Sequence, residues 1–304
     1  MVRRLSLPLP FLLLFLLVRP VAGQECTTTV LVSFYDQLTT AEIQTLNAGD
    51  IEARMSGSAL PVLDANRNFS NRLVILLETE GAAKSEKLEE LINTVTRQAR
   101  MAPEGKPVAL GIFAQKAIFT KFIDDPEKRN AAVGAVVEEE ASLGKHAALW
   151  DALHEAIAQF GPHQPGDTIL LIGDPFDDAS RHSASDIEKE FVATGTRLFM
   201  MRRAHASRVD RDFMWNSHEL EKAMLDRITQ ETGGLLSEYV PSLIRFAWAG
   251  YLLQVKPPAG MDHPHKWKVQ FRGPARDAHR KTNFYYPAVL PPCSVKQPTS
   301  QASR

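Results

Sequence analysis

Carboxylates that follow two apolar segments are the first residues of this chain able to do chemistry. Glu78 and Glu80 follow one such segment, and Asp174, Asp177 and Asp178 follow another. Carboxylates in such positions can transfer protons, or can hold a divalent cation through hard oxygen ligands. For the run of aspartates the alternative is a solvated acidic loop, which is what we expect.

Other sequence signatures of catalysis are missing. The chain contains no Gly-x-Ser-x-Gly elbow, no His-Glu-x-x-His zinc motif, no phosphate-binding Gly-Lys-Ser/Thr loop and no Gly-x-Gly-x-x-Gly. Serine, histidine and aspartate form no pattern that indicates a triad, although triads need not be local in sequence. His263 and His265 flank a proline and predict a turn rather than a metal site.

Predicted strands and helices alternate along the part of the chain that must position these acids. Apolar runs predict buried strands at 73–77, 108–114, 168–174 and 197–201, and helical spacing predicts helices near 82–99, 126–137, 149–160, 185–194 and 220–228. This alternation is typical of a parallel sheet covered by helices on both faces. Ligands of such sheets bind beyond the carboxyl ends of the strands. We therefore expect Glu78, Glu80, Asp174 and the loop before Leu149 at that edge.

The two flanks of this region have a different pattern. Residues 24–70 include TTTVLVSFY, and residues 246–293 include GYLLQVKPP, HKWKVQF and NFYYPAV. These are strand patterns without helices between them. We expect both flanks to be β-rich and to pack as one small module, followed by a polar tail at 294–304.

Residues 1–23 have the composition of a targeting signal. Arg3 and Arg4 precede the apolar run 11–18, and small residues at 21–23 offer a cleavage site. This order predicts a secretory signal peptide and a secreted or periplasmic protein. A membrane anchor is the alternative, but the run is shorter than the roughly 20 residues needed to span a bilayer.

The composition sets further bounds. With 304 residues, 44% of them hydrophobic, and a formal net charge of −1, the chain is neither a disordered polymer nor a strongly basic nucleic-acid binder. Its two cysteines, Cys26 and Cys293, lie near opposite ends of the mature chain. Export permits disulfides, and domain termini are often close in space, so we predict a bridge between them. Two inert thiols are the alternative.

Several stretches, in order, match the pattern of a known family. They are RLVILLETEGAAK at 72–84, GKHAALWDAL at 144–153, TILLIGDPFDD at 168–178, then ITQETGG, GYLLQVKPP and NFYYPAV, with LNAGDIEARMSGSALPV at 46–62 ahead of them. The chain resembles a von Willebrand factor A (VWFA) domain, most of all that of the secreted VWFA-related proteins of acidobacteria. The resemblance implies an α/β, Rossmann-like VWFA domain at 71–245, with a mainly parallel sheet flanked by helices. The β-rich module is then formed from the N- and C-terminal flanks.

The resemblance also implies a metal-ion-dependent adhesion site, in which Asp, two Ser, Thr and a second Asp bind the cation. The matching positions here are Glu78, Glu80, Ala82, Ala147 and Asp174. The two alanines offer no side-chain oxygen, Glu78 is one methylene too long, and Glu80 replaces a neutral hydroxyl. We therefore expect a degenerate site and no cofactor. Weak Mg²⁺ or Ca²⁺ binding stays open, because converging carboxylates repel each other unless a cation compensates.

The functional expectation is an exported binding module that is not an enzyme. Its partner would be a protein or a cell-envelope ligand, with no nucleic acid and no membrane span after signal cleavage. The alternatives are a metal-dependent hydrolase that uses Glu78, Glu80 and Asp174, and cation-dependent adhesion. The sequence names neither the partner nor the oligomeric state.

Overall fold

A computed structural model of the chain describes residues 26–36, 45–67, 69, 71–79, 93, 96–97, 99, 102, 105–139, 142–173, 176–202, 211–237, 243, 247–248 and 250–291. The predicted signal peptide, Glu80, Ala82, Asp174 and Cys293 lie outside the described residues, as does most of the helix predicted at 82–99. Within the described ranges, no helix is long and apolar enough to cross a membrane.

The described elements are fourteen strands, five α-helices and a short 3₁₀ turn. Strands β1 to β14 are Thr28–Asp36, Ile51–Met55, Ser58–Leu60, Val62–Asn66, Leu73–Glu78, Val108–Phe113, Ala117–Phe119, Thr168–Gly173, Arg197–Arg202, Leu236–Ser237, Tyr251–Val255, His265–Phe271, Thr282–Tyr285 and Val289–Leu290. Helices α1 to α5 are Pro126–Glu138, Leu149–Ala158, Ala184–Thr194, Arg211–Thr232 and Gly273–Ala278.

Six strands form a central sheet in the order β10-β9-β8-β5-β6-β7. The pairs from β10 to β6 are parallel, and β7 is antiparallel to β6. Every residue of β5, β6 and β8 is buried, because helices cover both faces of the sheet. Successive strand residues point to opposite faces, so Ile75 joins a core with Val133 of α1, and Leu76 joins one with Leu153 of α2.

Local signals explain where two of the helices begin and end. The Ser183 hydroxyl accepts a hydrogen bond from the backbone N–H of Asp186 and so caps α3, which ends at Gly195 in the left-handed conformation. Helix α4 is followed by Gly233 at φ +76° and by Gly234, where a Cβ would lie 1.6 Å from the Leu198 carbonyl oxygen. The first glycine ends the helix in a left-handed conformation, and the second permits close contact with β9.

The flanks form two antiparallel four-stranded sheets, in the orders β13-β1-β11-β4 and β14-β12-β2-β3. Each sheet takes strands from both ends of the chain. The two sheets share one hydrophobic core, in which the Phe34 ring lies 5.2 Å from that of Phe271. The predicted fold class is confirmed: an α/β region with a mainly parallel sheet, and a β-rich module built from both flanks.

Two short strands were not predicted. Strand β7 has three residues and β10 has two, which is too few to produce a periodic pattern. Strand β7 lies against Gly111 of β6, where a Cβ would stand 2.5 Å from the Phe119 ring. A glycine within an apolar run therefore marks the close approach of an edge strand.

Candidate functional site

Glu78 occupies the carboxyl end of β5, as expected. It is only 2% exposed, and its carboxylate lies over the neighbouring strand, where a Cβ on Gly173 would be 2.4 Å from Oε2. The other acids predicted at this edge, Glu80 and Asp174, and the alanine at 82, lie outside the described residues. The convergence of three carboxylates therefore stays a prediction.

The VWFA resemblance predicts Ala147 at the position of a threonine ligand, and the structure places this residue in a closed environment. The residue is 0% exposed. Its backbone N–H donates to the Asp178 carboxylate at 2.8 Å, and its carbonyl accepts from the backbone N–H groups of Asp178 at 2.9 Å and Ala179 at 3.1 Å. The side chain is a buried methyl group, which offers no oxygen to a cation.

Asp177 caps helix α2. Its carboxylate accepts from the backbone N–H of Leu149 at 2.8 Å and from the Ser180 hydroxyl at 2.5 Å. Ser180 in turn accepts from the N–H groups of Trp150 and Asp151. These N–H groups have no partner within the helix, and a negative charge is favourable at a helix N-terminus. Burial nevertheless raises the pKa of Asp177 above its usual value.

The expectation of a solvated acidic loop is wrong for Asp177. The side chain is partly buried and hydrogen-bonded to the first turn of a helix that lies 28 residues earlier in the chain. Asp178 is more exposed and pairs with the His146 Nδ1 at 2.9 Å. The pattern of the loop contains no signal that distinguishes a capping aspartate from a solvated one, because the partner N–H groups are remote in sequence.

A third acid, Glu221 of α4, faces this loop and was missed. Burial, followed by the negative charges of Asp177 and Asp178, raises the pKa of Glu221 to about 7. Its buried Oε2 atom has no hydrogen-bond partner in the described structure. Glu221 lies more than 40 residues after Asp177, at a position that a helical pattern alone does not mark as special.

A pair of histidines was missed as well. The rings of His154 and His182 stack with centroids 4.3 Å apart, and each Nδ1 contacts a carboxylate: Glu190 for His154 and Asp151 for His182. Burial works against the charged form of Asp151, but hydrogen bonds from His182 and Arg181 lower its pKa to about 2. Over the described ranges, no group of three or more histidine, cysteine or acidic side chains is placed to hold a metal ion.

Known proteins resemble this chain only loosely, and in architecture rather than in sequence. No family and no curated protein matches the chain in sequence. Among solved structures, an aerotolerance-related membrane protein from Bacteroides fragilis is 16% identical with a TM-score of 0.45, and the match covers 59% of this chain and 98% of that one.

Two further solved structures resemble the chain. One is the mussel byssus protein PTMP1 with a zinc-occupied MIDAS motif, at 12% identity and a TM-score of 0.47, covering 64% of this chain and 49% of that one. The other is the ArnB paralog VWA2 from Sulfolobus acidocaldarius, at 10% identity and a TM-score of 0.41, covering 88% and 76%. The TM-scores of these three structures all lie below 0.5.

Proposed function

We propose that the chain is an exported, non-catalytic interaction protein of the VWFA type, whose metal-ion-dependent adhesion site is degenerate. The observation that carries this proposal is the buried methyl group of Ala147, at the position where the family uses a threonine hydroxyl. Divalent cations of this kind need oxygen ligands in a nearly complete shell. Ala147 offers no side-chain oxygen, and its carbonyl is already hydrogen-bonded to the backbone of residues 178 and 179. The ligand shell of a cation there would therefore be incomplete.

The hydrogen bonds of the neighbouring loop support the same reading. Asp177 and Ser180 satisfy the first turn of α2, and Asp178 satisfies the N–H of Ala147. Carboxylates engaged in this way stabilise the fold and are poor candidates for chemistry that requires a free acid. The loop therefore serves as a helix cap, and the proposed partner is a protein or cell-envelope component rather than a substrate.

Export and a disulfide belong to this proposal. The signal pattern of residues 1–23 directs the chain out of the cytoplasm. In the oxidising environment outside, Cys26 can pair with Cys293. The Thr28 hydroxyl lies 3.4 Å from the Pro291 carbonyl oxygen, so positions two residues from each cysteine are adjacent. Within the described residues there is no free cysteine. A bridge there would join the first strand of the β-rich module to its last.

Thermal unfolding of the mature protein in EDTA, in Mg²⁺ and in Ca²⁺ tests the degenerate site. A cation that binds only the folded state must raise the melting temperature. We expect equal melting temperatures under all three conditions, for the wild type and for Asp174→Ala. A rise that Asp174→Ala abolishes would show that the site still holds a cation and would contradict the proposal.

A metal-dependent hydrolase or a cation-dependent adhesion module is the second candidate. It is favoured by Glu221 alone, whose buried Oε2 has no hydrogen-bond partner in the described structure and whose pKa is raised by burial, because a nearby cation would compensate its charge. The hydrolase would turn over ester, phosphate or peptide substrates, and would lose that activity in EDTA and in Asp174→Ala. The adhesion module would show cation-dependent capture of a partner without turnover.

A further inference from the structure

A cavity of about 500 Å³ lies between the amino edge of the central sheet and the β-rich module, remote from the acids described above. Its wall includes Thr29 and Leu31 of β1, Phe191 and Thr194 at the end of α3, and Val289 of β14. Most of these side chains are apolar, and the threonines add hydroxyl groups. This volume lies within the range of about 300–1,000 Å³ that is typical of small-molecule sites.

Arg197, the first residue of β9, also lines this cavity and is 1% exposed. Its Nε and Nη2 donate to the Gly233 carbonyl oxygen at 3.2 and 2.7 Å, and Nη2 also donates to the Ser33 hydroxyl oxygen at 3.1 Å. The remaining nitrogen, Nη1, is buried and has no hydrogen-bond partner in the described structure. Among the described residues, no carboxylate forms an ion pair with this guanidinium.

A buried cation with neither a counter-ion nor a full set of acceptors is unfavourable. Burial lowers the pKa of Arg197 to about 9, so the group is still charged at neutral pH. The guanidinium carbon lies 4.9 Å from the centroid of the Phe199 ring, which compensates the charge only in part. An anion in the cavity would supply both the missing acceptor and the missing negative charge.

One carboxylate on the cavity wall limits the negative charge that a ligand can carry. Glu231 of α4 lines the same cavity, and burial, together with a hydrogen bond to Glu188, raises its pKa above the usual value. A ligand with a second anionic group away from Arg197 would bring it close to this residue and be repelled. A single anionic group directed at Arg197, with an uncharged remainder, fits the wall better.

We propose that this cavity binds a small amphipathic organic anion, with one carboxylate or phosphate head group at the Arg197 Nη1 and an apolar body against Leu31, Phe191 and Val289. Because Nη1 is covered, the head group reaches it after side chains of the wall change rotamer, as commonly happens on binding. This inference goes beyond the proposed interaction function and does not depend on it.

The test uses the mature protein and a fluorescent amphipathic anion, anilinonaphthalene sulfonate. We expect saturable binding at one site and displacement of the dye by octanoate or octyl phosphate. Octanol has the same apolar body without the charge, and should displace the dye at least about tenfold less well, because charge-assisted hydrogen bonds are the stronger ones. The better of the two anions identifies the head group as a carboxylate or a phosphate.

Three variants make the test specific. Arg197→Met should bring octanoate and octyl phosphate down to the level of octanol. The control Arg181→Met removes the same charge from a side chain that is 85% exposed and absent from the cavity wall, so it should leave the preference intact. Ala193→Trp changes an exposed residue on the wall and should weaken binding of the dye by about tenfold or more through steric exclusion, with the melting temperature unchanged.

Either of two results would overturn the proposal. One is a wild-type protein that binds no dye at a saturable site, or that treats octanol and the two anions alike. The other is unchanged dye binding by Ala193→Trp, which would place the dye elsewhere. This second result remains decisive even if Arg197→Met fails to fold.

Discussion

The two edges of the central sheet handle buried charge in different ways. At the carboxyl edge, Asp177 is partly buried, and its carboxylate accepts hydrogen bonds from a helix N-terminus and from Ser180. At the amino edge, Arg197 is buried with one nitrogen unpaired beside a cavity. Among the described acids of the carboxyl edge, Asp177 and Asp178 are held by hydrogen bonds, and only the facing Glu221 keeps a buried oxygen without a partner. The amino edge carries no motif, yet there a buried cation lacks a full set of acceptors.

A second buried arginine shows what a satisfied guanidinium looks like in this protein. Arg129 of α1 is 0% exposed and is therefore as deeply buried as Arg197. All three of its nitrogens donate to backbone carbonyl oxygens, those of Ala99, Ala102, Lys106, Ile123 and Asp124. The contrast with Arg197 indicates that Arg129 holds the fold together, whereas Arg197 retains capacity for a ligand.

Replacing each arginine by methionine should give the largest difference in stability. Arg129→Met should lower the free energy of unfolding by about 3–5 kcal/mol, since several buried carbonyls lose partners at about 1–3 kcal/mol each. Arg197→Met should lower it by about 1 kcal/mol or less, because removal of an uncompensated charge offsets two lost acceptor contacts. Urea denaturation of the two variants measures this. Equal losses would make Arg197 a structural residue and remove the contrast.

The helix cap at the opposite edge should have the next largest effect. Asp177→Ala removes the acceptor for the Leu149 N–H and for the Ser180 hydroxyl, and should lower the free energy of unfolding by about 1–2 kcal/mol. Asp177→Asn keeps one oxygen acceptor and should lose less. Thermal unfolding of both variants provides the measurement. If neither variant is destabilised, the loop is not a cap, and its acids become available for chemistry.

The parts of the fold that could be predicted are those in which the sequence pattern of a single segment indicates its structure. The apolar runs of β5 and β8 and the glycines after α4 each indicate their structure from a few adjacent residues. The pairing of β2 with β12 joins segments more than 200 residues apart, and no local pattern encodes it. Arg197 presents the same difficulty, because a basic residue at the start of RLFMM has the pattern of a strand boundary although it is fully buried.

For the acids that the structure describes, the sequence indicated a place in the fold but not a role. Glu78 follows its strand as expected, but the capping role of Asp177 depends on N–H groups 28 residues away, and the pKa of Glu221 depends on charges from another element. Hydrogen-bond partners and desolvation are properties of the assembled structure. Residue types and spacing therefore indicated the place of Glu78, but not which acids stabilise the fold.

The smallest predicted effect is a pH dependence at Glu221. Its pKa is about 7 in the folded protein, compared with 4.5 for an ordinary glutamate, so the folded state binds more protons than the unfolded state between those values. Stability from this residue is therefore present below pH 4.5 and is lost as the pH rises through 7. Glu221→Gln removes the charge, and should raise the free energy of unfolding by about 1 kcal/mol at pH 8 after allowance for solvent screening.

Urea denaturation at pH 4.5 and at pH 8 measures this effect, with the wild type compared at each pH. At pH 4.5 the wild-type carboxyl is protonated, so the variant should gain nothing. A gain of equal size at both pH values would mean that the charge of Glu221 is not its cause. In that case the carboxyl edge would no longer retain an unfavourable charge, and the argument for a cation there would lose its main support.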